Sequence, residues 1–192
     1  MPTDAERSRD EDVIVVGGGN SAGQAATNLA TRARSVRIVV RGKSLKASMS
    51  HYLLDRIKRS PRIEVITETE LIAVHGTATV EAVTLRDRRD GSLERVPTAA
   101  VFVMIGGDPC SEAATGILAV DDGGFLLCGD QAAGREGHLS WPLADREPSL
   151  LETVRPGVFA AGDVRAGASN RVAGAVGDGA IAVRFVMQVL AG

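Results

Sequence analysis

The feature that most constrains the fold is a glycine-rich turn between an apolar run and an alanine-rich run. Val13–Val16 is β-branched, which is typical of a strand, and the stretch from Ala22 to Ala33 has the composition of a helix. Between them Gly17, Gly19 and Ala22 form a Gly-x-Gly-x-x-Ala pattern. The first glycine permits a tight turn, the second admits a phosphate to the main chain, and the small third residue keeps the helix close to the strand.

This turn predicts a pyrophosphate site, because amide N–H groups at a helix N-terminus attract anions. The context of a strand before the turn and a helix after it strengthens the prediction. A glycine-rich turn without any ligand is the alternative interpretation. The candidate binding residues are Gly17, Gly18, Gly19, Asn20, Ser21 and Ala22.

The end of the next predicted strand, Val36–Val40, indicates which dinucleotide binds. A site for NAD usually has an acidic residue here to bind the ribose 2′-hydroxyl. This chain has Arg41, followed by Lys43 and Lys46. A guanidinium can bind a 2′-phosphate through two hydrogen bonds, so the sequence predicts NADPH. A solvated basic loop is the alternative.

The remaining pattern up to residue 119 predicts a small α/β domain. A helix over Met49–Arg59 precedes a strand at Ile63–Ile66, and Ala99–Ile105 reads as a strand buried on both faces. Three antiparallel strands are expected between them, at residues 70–74, 79–86 and 93–96. Ligands bind at the carboxyl ends of parallel strands, so Gly17, Arg41 and Gly106 are expected around one cleft. Gly106 and Gly107 form either a passage for the nicotinamide half or a simple turn.

The second half of the chain shows less regular patterning. Residues 121–150 read as a long connection with a short strand at Phe125–Leu127, and another strand is expected at Val158–Ala161 before a helix from Arg171 to Leu190. We therefore expect a loose tail over residues 1–11, a nucleotide-binding domain over 12–119 and a further segment over 120–192.

Composition excludes several classes of function. The net charge of −2 gives no indication of a nucleic acid or an anionic membrane as a partner, and no apolar stretch is expected to be long enough to span a bilayer. The polar N-terminus is not a secretory signal, so a cytoplasmic location is expected. Cys110 and Cys128 do not form a Cys-x-x-Cys pair, and the three histidines have no partners at metal-ligand spacing.

Several motifs in the same order resemble the low-molecular-weight thioredoxin reductase family, flavin-dependent pyridine nucleotide-disulfide oxidoreductases. The resemblance extends over nearly the whole chain after the tail. It rests on Val15–Ala22, the basic strand end at Arg41, Phe102–Gly106, Pro156–Val164 and Arg171–Ala173. The implied fold is a Rossmann-like three-layer NAD(P)-binding domain with a β-meander, followed by a C-terminal strand and helix of an FAD-binding domain.

The resemblance also implies cofactors and residue roles. In that family NADPH reduces FAD, and the electrons pass through a Cys-x-x-Cys disulfide to thioredoxin. By position, Arg41 and Lys46 would hold the 2′-phosphate, while Gly42 occupies a position that is often a second arginine. Gly162 and Asp163 would lie at the FAD ribityl or ribose, although an Asp in such a turn can also cap the following loop. The amides of Arg171, Val172 and Ala173 would face the flavin, where a helix N-terminus stabilises reduced flavin.

Two departures limit the expected activity. The family's first FAD-binding glycine motif and its redox Cys-x-x-Cys are not found before the NADPH domain. We therefore expect a chain that binds NADPH, has an incomplete FAD site, has no catalytic side chain of its own and exposes apolar surface over residues 121–192. A non-catalytic NADPH-binding or regulatory module, half of a split flavoenzyme and a pseudogene product are the alternatives. A thioredoxin-like protein, a complementary FAD-domain chain or a second copy would be its partner.

Overall fold

The computed structural model describes residues 4–134 and 136–191. The chain divides into two compact units, the first ending at Gly106 and the second beginning at Gly107. This division lies before the domain boundary expected after residue 119, and the functional limits of the domains stay a prediction.

The first unit contains a parallel sheet, and the glycine-rich motif directly follows its first strand. Strand β1 (Asp12–Val16) pairs with β2 (Ser35–Val39) and with β7 (Ala100–Val103), and β2 pairs with β3 (Ile63–Ile66). The order is therefore β3-β2-β1-β7, with all pairs parallel. Because the strands are parallel, their carboxyl ends lie at one edge, where a ligand is expected.

The sheet is the middle of three layers. Helices α2 (Asn20–Leu29) and α3 (His51–Arg59) contribute to one core cluster, which also contains Val13, Val15, Val36 and Ile38. Ile14 and Val39 instead pack with a meander of three antiparallel strands, β4 (Thr69–His75), β5 (Ala82–Asp87) and β6 (Leu93–Pro97). Alternate residues of β1 thus enter different cores, as the two-residue period of a strand requires. The α/β fold with a β-meander is confirmed.

Two expectations for the first unit need correction. β7 is expected to be buried on both faces, but none of its residues is buried and Val103 is 57% exposed; β7 is also an edge strand, which pairs only with β1 among the described strands. The predicted loose tail is instead ordered over residues 4–11, beginning with a short helix, α1 (Asp4–Arg7). The backbone explains this, since Asp10 donates to Arg32 O at 3.0 Å and Arg34 donates to Glu11 O at 2.9 Å. Residues 1–3 lie outside the described part.

The second unit has few regular elements, and it combines small hydrophobic clusters with a polar network. Its expected strands at 125–127 and 158–161 are reduced to single bridges, Leu126 with Val120 and Arg165, and Phe159 with Glu152. Its regular elements are α4 (Asp130–Ala133), α5 (Val172–Ala191) and two short 3₁₀ turns, Glu112–Ala114 and Gly162–Val164. A strand needs a neighbour to satisfy its backbone, and the described residues supply only isolated pairings.

A buried carboxylate lies at the centre of that network. Glu152 is fully buried and accepts hydrogen bonds from Arg146 Nη1 and Nη2 at 2.8 and 2.9 Å. The amides of Ser149 and Gly157 donate to the same carboxylate. Burial alone would raise the pKa of Glu152, but these four hydrogen bonds outweigh it and lower the pKa to about 2. Trp141 caps the network, with the Arg146 guanidinium 4.8 Å from its ring centroid.

Helix α5 has no buried residue among those described; Phe185 stacks on Phe159, but many of its other apolar side chains are exposed. The exposed apolar surface expected for this segment is therefore present, including Val172, Val176, Val183, Met187 and Leu190. The expectation that no segment could span a bilayer needs correction, because α5 is long and apolar enough by length and composition alone. A search for uninterrupted apolar runs misses it, since Asp178 and Arg184 interrupt the run.

Candidate nucleotide-binding site

The glycine-rich turn brings the ends of β1 and β7 together. Gly17 has a φ of 138°, a left-handed value that favours glycine, and its N–H donates to Val39 O at 3.0 Å. A Cβ at Gly17 would overlap the carbonyl of Met104, whose own N–H donates to Val16 O at 2.7 Å. The turn can therefore form only if residue 17 lacks a side chain.

The turn ends in a helix N-terminus whose amides are free to bind an anion. The first helical hydrogen bond of α2 runs from Gly23 N to Gly19 O at 3.1 Å, so the amides of Asn20, Ser21 and Ala22 precede the helical ladder. Gly19 makes no side-chain cap, and the first turn contains no acidic residue. No heavy atom lies within 4 Å of a Cβ placed on Gly19. The space that a phosphate needs is open.

A cleft of about 650 Å³ lies over these amides at the carboxyl ends of the strands. The residues lining it come from the glycine-rich turn, the end of β2, the start of β4 and the residues after β7. From the predicted set it is lined by Gly17, Gly18, Gly19, Asn20, Ser21, Arg41 and Gly106. The structure thus brings the three expected strand ends to one cleft.

Two predicted residues of the first unit do not line this cleft. Ala22 is fully buried, and its Cβ would lie 3.5 Å from a Cβ on Gly17, so it sets helix–strand packing as the pattern predicts. Lys46 is exposed, and its backbone amide donates to Ser44 Oγ. The part of the chain described here gives Lys46 no contact with the cleft, and its role at the 2′-phosphate stays a prediction.

The basic loop after β2 is exposed but firmly attached at its base. Val40 O accepts from Thr69 N and Gly42 O accepts from Glu68 N, each at 3.0 Å. The side chain of Arg41 has no ion-pair partner among the described residues. Glu70, the one acidic residue lining the cleft in the described part, is paired with Arg86 at 2.6 Å. The guanidinium of Arg41 is therefore free to bind an anion in the cleft.

Sequence reasoning missed residues that hold the cleft together. Ser48 Oγ donates to Gly18 O at 2.9 Å, and Asn20 Oδ1 accepts from Ser50 N at 2.8 Å. These bonds fasten the segment before α3 to the glycine-rich turn. Gly23 allows α2 and α3 to approach, since a Cβ there would lie 2.9 Å from Met49 Sδ. In the sequence, Ser48 and Ser50 flank the start of a predicted helix, but nothing there indicates these hydrogen bonds to the glycine-rich turn.

The predicted flavin-facing residues belong to the second unit. Gly162 is buried with a φ of 79°, and its N–H donates to Asp178 Oδ2 at 3.0 Å. Asp163 is exposed, and the hydrogen bonds of the described residues do not include its carboxylate. Arg171 O accepts from Ala175 N at 3.0 Å, so the amides of Arg171, Val172 and Ala173 precede the helical ladder of α5.

The cysteines carry no redox pair in this structure. Cys110 is exposed and Cys128 is buried, and both are free. Burial raises the pKa of the Cys128 thiol to about 11, although the nearby Arg165 charge acts in the opposite direction. At neutral pH that thiol stays protonated and is a poor nucleophile. Within the described ranges, no group of three His, Cys, Asp or Glu side chains could hold a metal.

Comparisons with known proteins agree with this geometry. The family described as pyridine nucleotide-disulphide oxidoreductase matches residues 3–179. The chain is 35% identical over 156 residues to a thioredoxin reductase of Mycolicibacterium smegmatis and to one of Streptomyces clavuligerus. These matches cover 81% of this chain but 44% and 42% of the relatives, so the chain spans less than half of their length.

A solved thioredoxin reductase of Streptococcus pyogenes has the same architecture, with a TM-score of 0.64 and 26% identity. That similarity covers 97% of this chain and 55% of the solved one. The similarity to thioredoxin reductases expected from the motifs is confirmed by both kinds of comparison. With the profile match over most of its length, the chain belongs to the pyridine nucleotide-disulphide oxidoreductase family.

Proposed function

We propose that the first unit binds NADPH as part of a thioredoxin-reductase-type oxidoreductase. The observation that carries this proposal is the cleft in which the free amides of α2 and the free guanidinium of Arg41 border one space. A dinucleotide has two features that match it, a pyrophosphate and a ribose phosphate. The pyrophosphate would lie against the amides of Asn20, Ser21 and Ala22.

The proposed selectivity for NADPH over NADH rests on Arg41. A 2′-phosphate is anionic and can accept two parallel hydrogen bonds from a guanidinium, which a ribose hydroxyl cannot do. The exposed lysines Lys43 and Lys46 add positive charge to the same loop. Gly106, with a φ of 93° and no atom near a Cβ, leaves room for the nicotinamide half at the end of β7.

The second unit offers groups suited to FAD, in accord with the family. The amides at the start of α5 are free, and Asp163 presents an exposed carboxylate suited to ribityl or ribose hydroxyls. When bound, FAD would supply the two-electron carrier between a nicotinamide and a disulfide. The residues of this chain would bind and orient it, because none of them offers a convincing covalent or acid–base role.

We further propose that this chain alone does not reduce a disulfide. Its two cysteines are not in a Cys-x-x-Cys pair, and Cys128 stays protonated at neutral pH. Activity would require the part of the relatives that this chain does not span, with a thioredoxin-like protein as electron acceptor. The apolar face of α5 supports a second candidate function, half of a split flavoenzyme that takes up a complementary FAD-domain chain. We place the protein in the cytoplasm, without nucleic acid or membrane as a partner.

Calorimetric titration tests the binding proposal. We expect the purified chain to bind NADPH more tightly than NADH, and Arg41→Ala to remove the difference. Lys58→Ala, an exposed cation on α3 outside the cleft lining, is the matched control and should retain the preference. No heat of association at millimolar NADPH, or an unchanged preference in Arg41→Ala, contradicts the proposal.

Four further measurements separate the candidates. Stoichiometric flavin absorbance in the purified chain would contradict an incomplete FAD site, and turnover with NADPH and thioredoxin would contradict the absence of catalysis. Genomic sequence upstream of Met1 that contains an in-frame glycine motif and a Cys-x-x-Cys would favour a longer enzyme. Copurification of a separate FAD-domain chain would favour the split enzyme.

A further inference from the structure

Arg88, just after β5, contacts the basic loop from a distant part of the sequence. Its Nη1 donates to Arg41 O at 2.9 Å, although the two residues are 47 positions apart. Its backbone N–H donates to Glu68 O at 2.8 Å, which holds the start of the β5–β6 hairpin against the connection between β3 and β4. The guanidinium of Arg88 therefore lies at the strand end that carries Arg41.

Three consecutive carbonyls at this strand end are all occupied. Val40 O, Arg41 O and Gly42 O accept hydrogen bonds from Thr69 N, Arg88 Nη1 and Glu68 N respectively. The bond from Arg88 is the only one of the three made by a side chain. Removing that side chain would release the backbone at Arg41 while its two neighbours stay attached.

Arg88 differs from Arg86 and Arg89 in having no ion-pair partner among the described residues. Arg86 is paired with Glu70 and Arg89 is paired with Asp87. The ion pairs of the described residues do not include Arg88, and their hydrogen bonds use one N–H of its guanidinium. A guanidinium has five N–H donors, so the others can bind an anion.

The loop itself lacks a second guanidinium. Gly42 follows Arg41 directly and has no side chain to offer, and Lys43 is a point charge without the fork geometry of arginine. A 2′-phosphate dianion is bound more tightly by two cations than by one. Arg88 brings the second cation to the position next to Arg41.

We propose that Arg88 forms, with Arg41, the binding site for the 2′-phosphate of NADPH. Arg88 tethers the main chain of Arg41 and donates its remaining N–H groups to the phosphate. This inference rests on the proposed NADPH-binding function and specifies a residue that determines its selectivity.

The test compares two small probes that differ only in the 2′-phosphate, adenosine 2′,5′-bisphosphate and adenosine 5′-monophosphate. Their dissociation constants are measured by calorimetry for the wild-type chain, Arg88→Gln, Arg88→Lys and Arg95→Gln. Arg95 is exposed on β6, so its substitution makes the same charge change away from the basic loop. We expect Arg88→Gln to raise the dissociation constant of the bisphosphate by roughly tenfold and that of the monophosphate by less than about twofold. Arg88→Lys should lose part of this affinity, and Arg95→Gln should behave as wild type.

The outcomes separate this inference from the proposed function. If the wild-type chain prefers the bisphosphate but Arg88→Gln retains that preference, the inference fails and NADPH binding stands. An equal loss for both probes in Arg88→Gln would reveal a structural role only and would overturn the inference. If the wild-type chain binds neither probe and no NADPH, both proposals fail. A salt dependence of bisphosphate binding that becomes shallower in Arg88→Gln supports direct contact with the phosphate.

Discussion

The two units of this chain are stabilised in different ways. The first has a parallel sheet covered by helices on one face and by a meander on the other, so its backbone groups are paired within regular strands. The second has small core clusters, isolated bridges, a buried carboxylate network and a helix with no buried residue. The difference shows that a unit can be well connected by hydrogen bonds while much apolar surface stays exposed. The exposed apolar surface is therefore the part of the second unit that its own core leaves uncovered.

The largest effect is expected from Gly17→Ala in the first unit. The new Cβ would overlap Met104 O in a left-handed conformation that alanine rarely adopts, so we expect a loss on the order of 4 kcal/mol. Urea unfolding followed by circular dichroism measures this loss. Gly19→Ala is the control, because its Cβ meets no atom within 4 Å, and its stability should change by less than about 1 kcal/mol. Equal losses in the two variants would contradict the packing argument.

A loss of about 3 kcal/mol is expected from Glu152→Gln in the second unit. The amide cannot replace the carboxylate toward both Arg146 nitrogens and two backbone amides, so donors near the centre of the network lose their partner. Trp141 is the only tryptophan, and its fluorescence reports the second unit. Unfolding of Glu152→Gln that matches the wild type would show that the network contributes little.

Acid should remove the same stabilisation. The pKa of Glu152 is about 2 in the folded chain against an ordinary value of 4.5, so the contribution is complete above pH 4.5 and is lost as the pH falls toward 2. We expect Trp141-detected stability to decrease in this window by about 3 kcal/mol in the wild type. Glu152→Gln should lack this component, and an equally steep decrease in the variant would contradict the assignment.

A smaller loss, about 1–2 kcal/mol, is expected from Asp178→Asn. Asp178 pairs with Arg165 at 2.6 Å and accepts from Gly162 N, which joins α5 to the turn at 162–165. Asparagine keeps an acceptor for Gly162 but loses the charge, so the variant measures the ion pair. Urea unfolding followed by Trp141 fluorescence checks it, with Asp130→Asn on α4, which lacks a described ion pair, as the control.

The smallest effect is a gain in stability from Gly177→Ala or Gly179→Ala. A Cβ at either position meets no atom within 4 Å, and alanine favours a helix interior by up to about 1 kcal/mol over glycine. Gly174→Ala is the contrast, because its Cβ would overlap Ser169 Oγ and should cancel this gain. Thermal unfolding followed by circular dichroism distinguishes them. A loss at positions 177 and 179 would indicate that another surface already covers this part of α5.

Much of the first unit could be predicted from the sequence because its signals are local. The β-branched runs at 13–16, 36–40 and 63–66 coincide with β1, β2 and β3 to within about a residue. The expected parallel order of the strands predicted that Gly17, Arg41 and Gly106 border one cleft, because parallel strands end at the same edge, and the structure has them there. The edge position of β7 could not be predicted, since its apolar run is the same whether one or two strands pair with it.

What sequence reasoning missed depends on contacts between distant positions. Arg88 reaches Arg41 across 47 residues, and nothing around Arg88 distinguishes it from the paired Arg86 and Arg89. Glu152 looks like an ordinary surface acid until Arg146 and the amide of Gly157 surround it. Such contacts leave no periodic pattern in the sequence, so only the structure shows them.

The three occupied carbonyls at the end of β2 have a consequence for redesign. Because Thr69, Arg88 and Glu68 hold Val40, Arg41 and Gly42, the shape of this loop is specified by segments outside it. Replacing only residues 41–46 with those of an NAD-dependent homologue would therefore introduce new side chains on a loop whose backbone is still held by Thr69, Glu68 and Arg88. If NADPH binds as proposed, a switch of coenzyme would require exchanging Arg88 together with the loop.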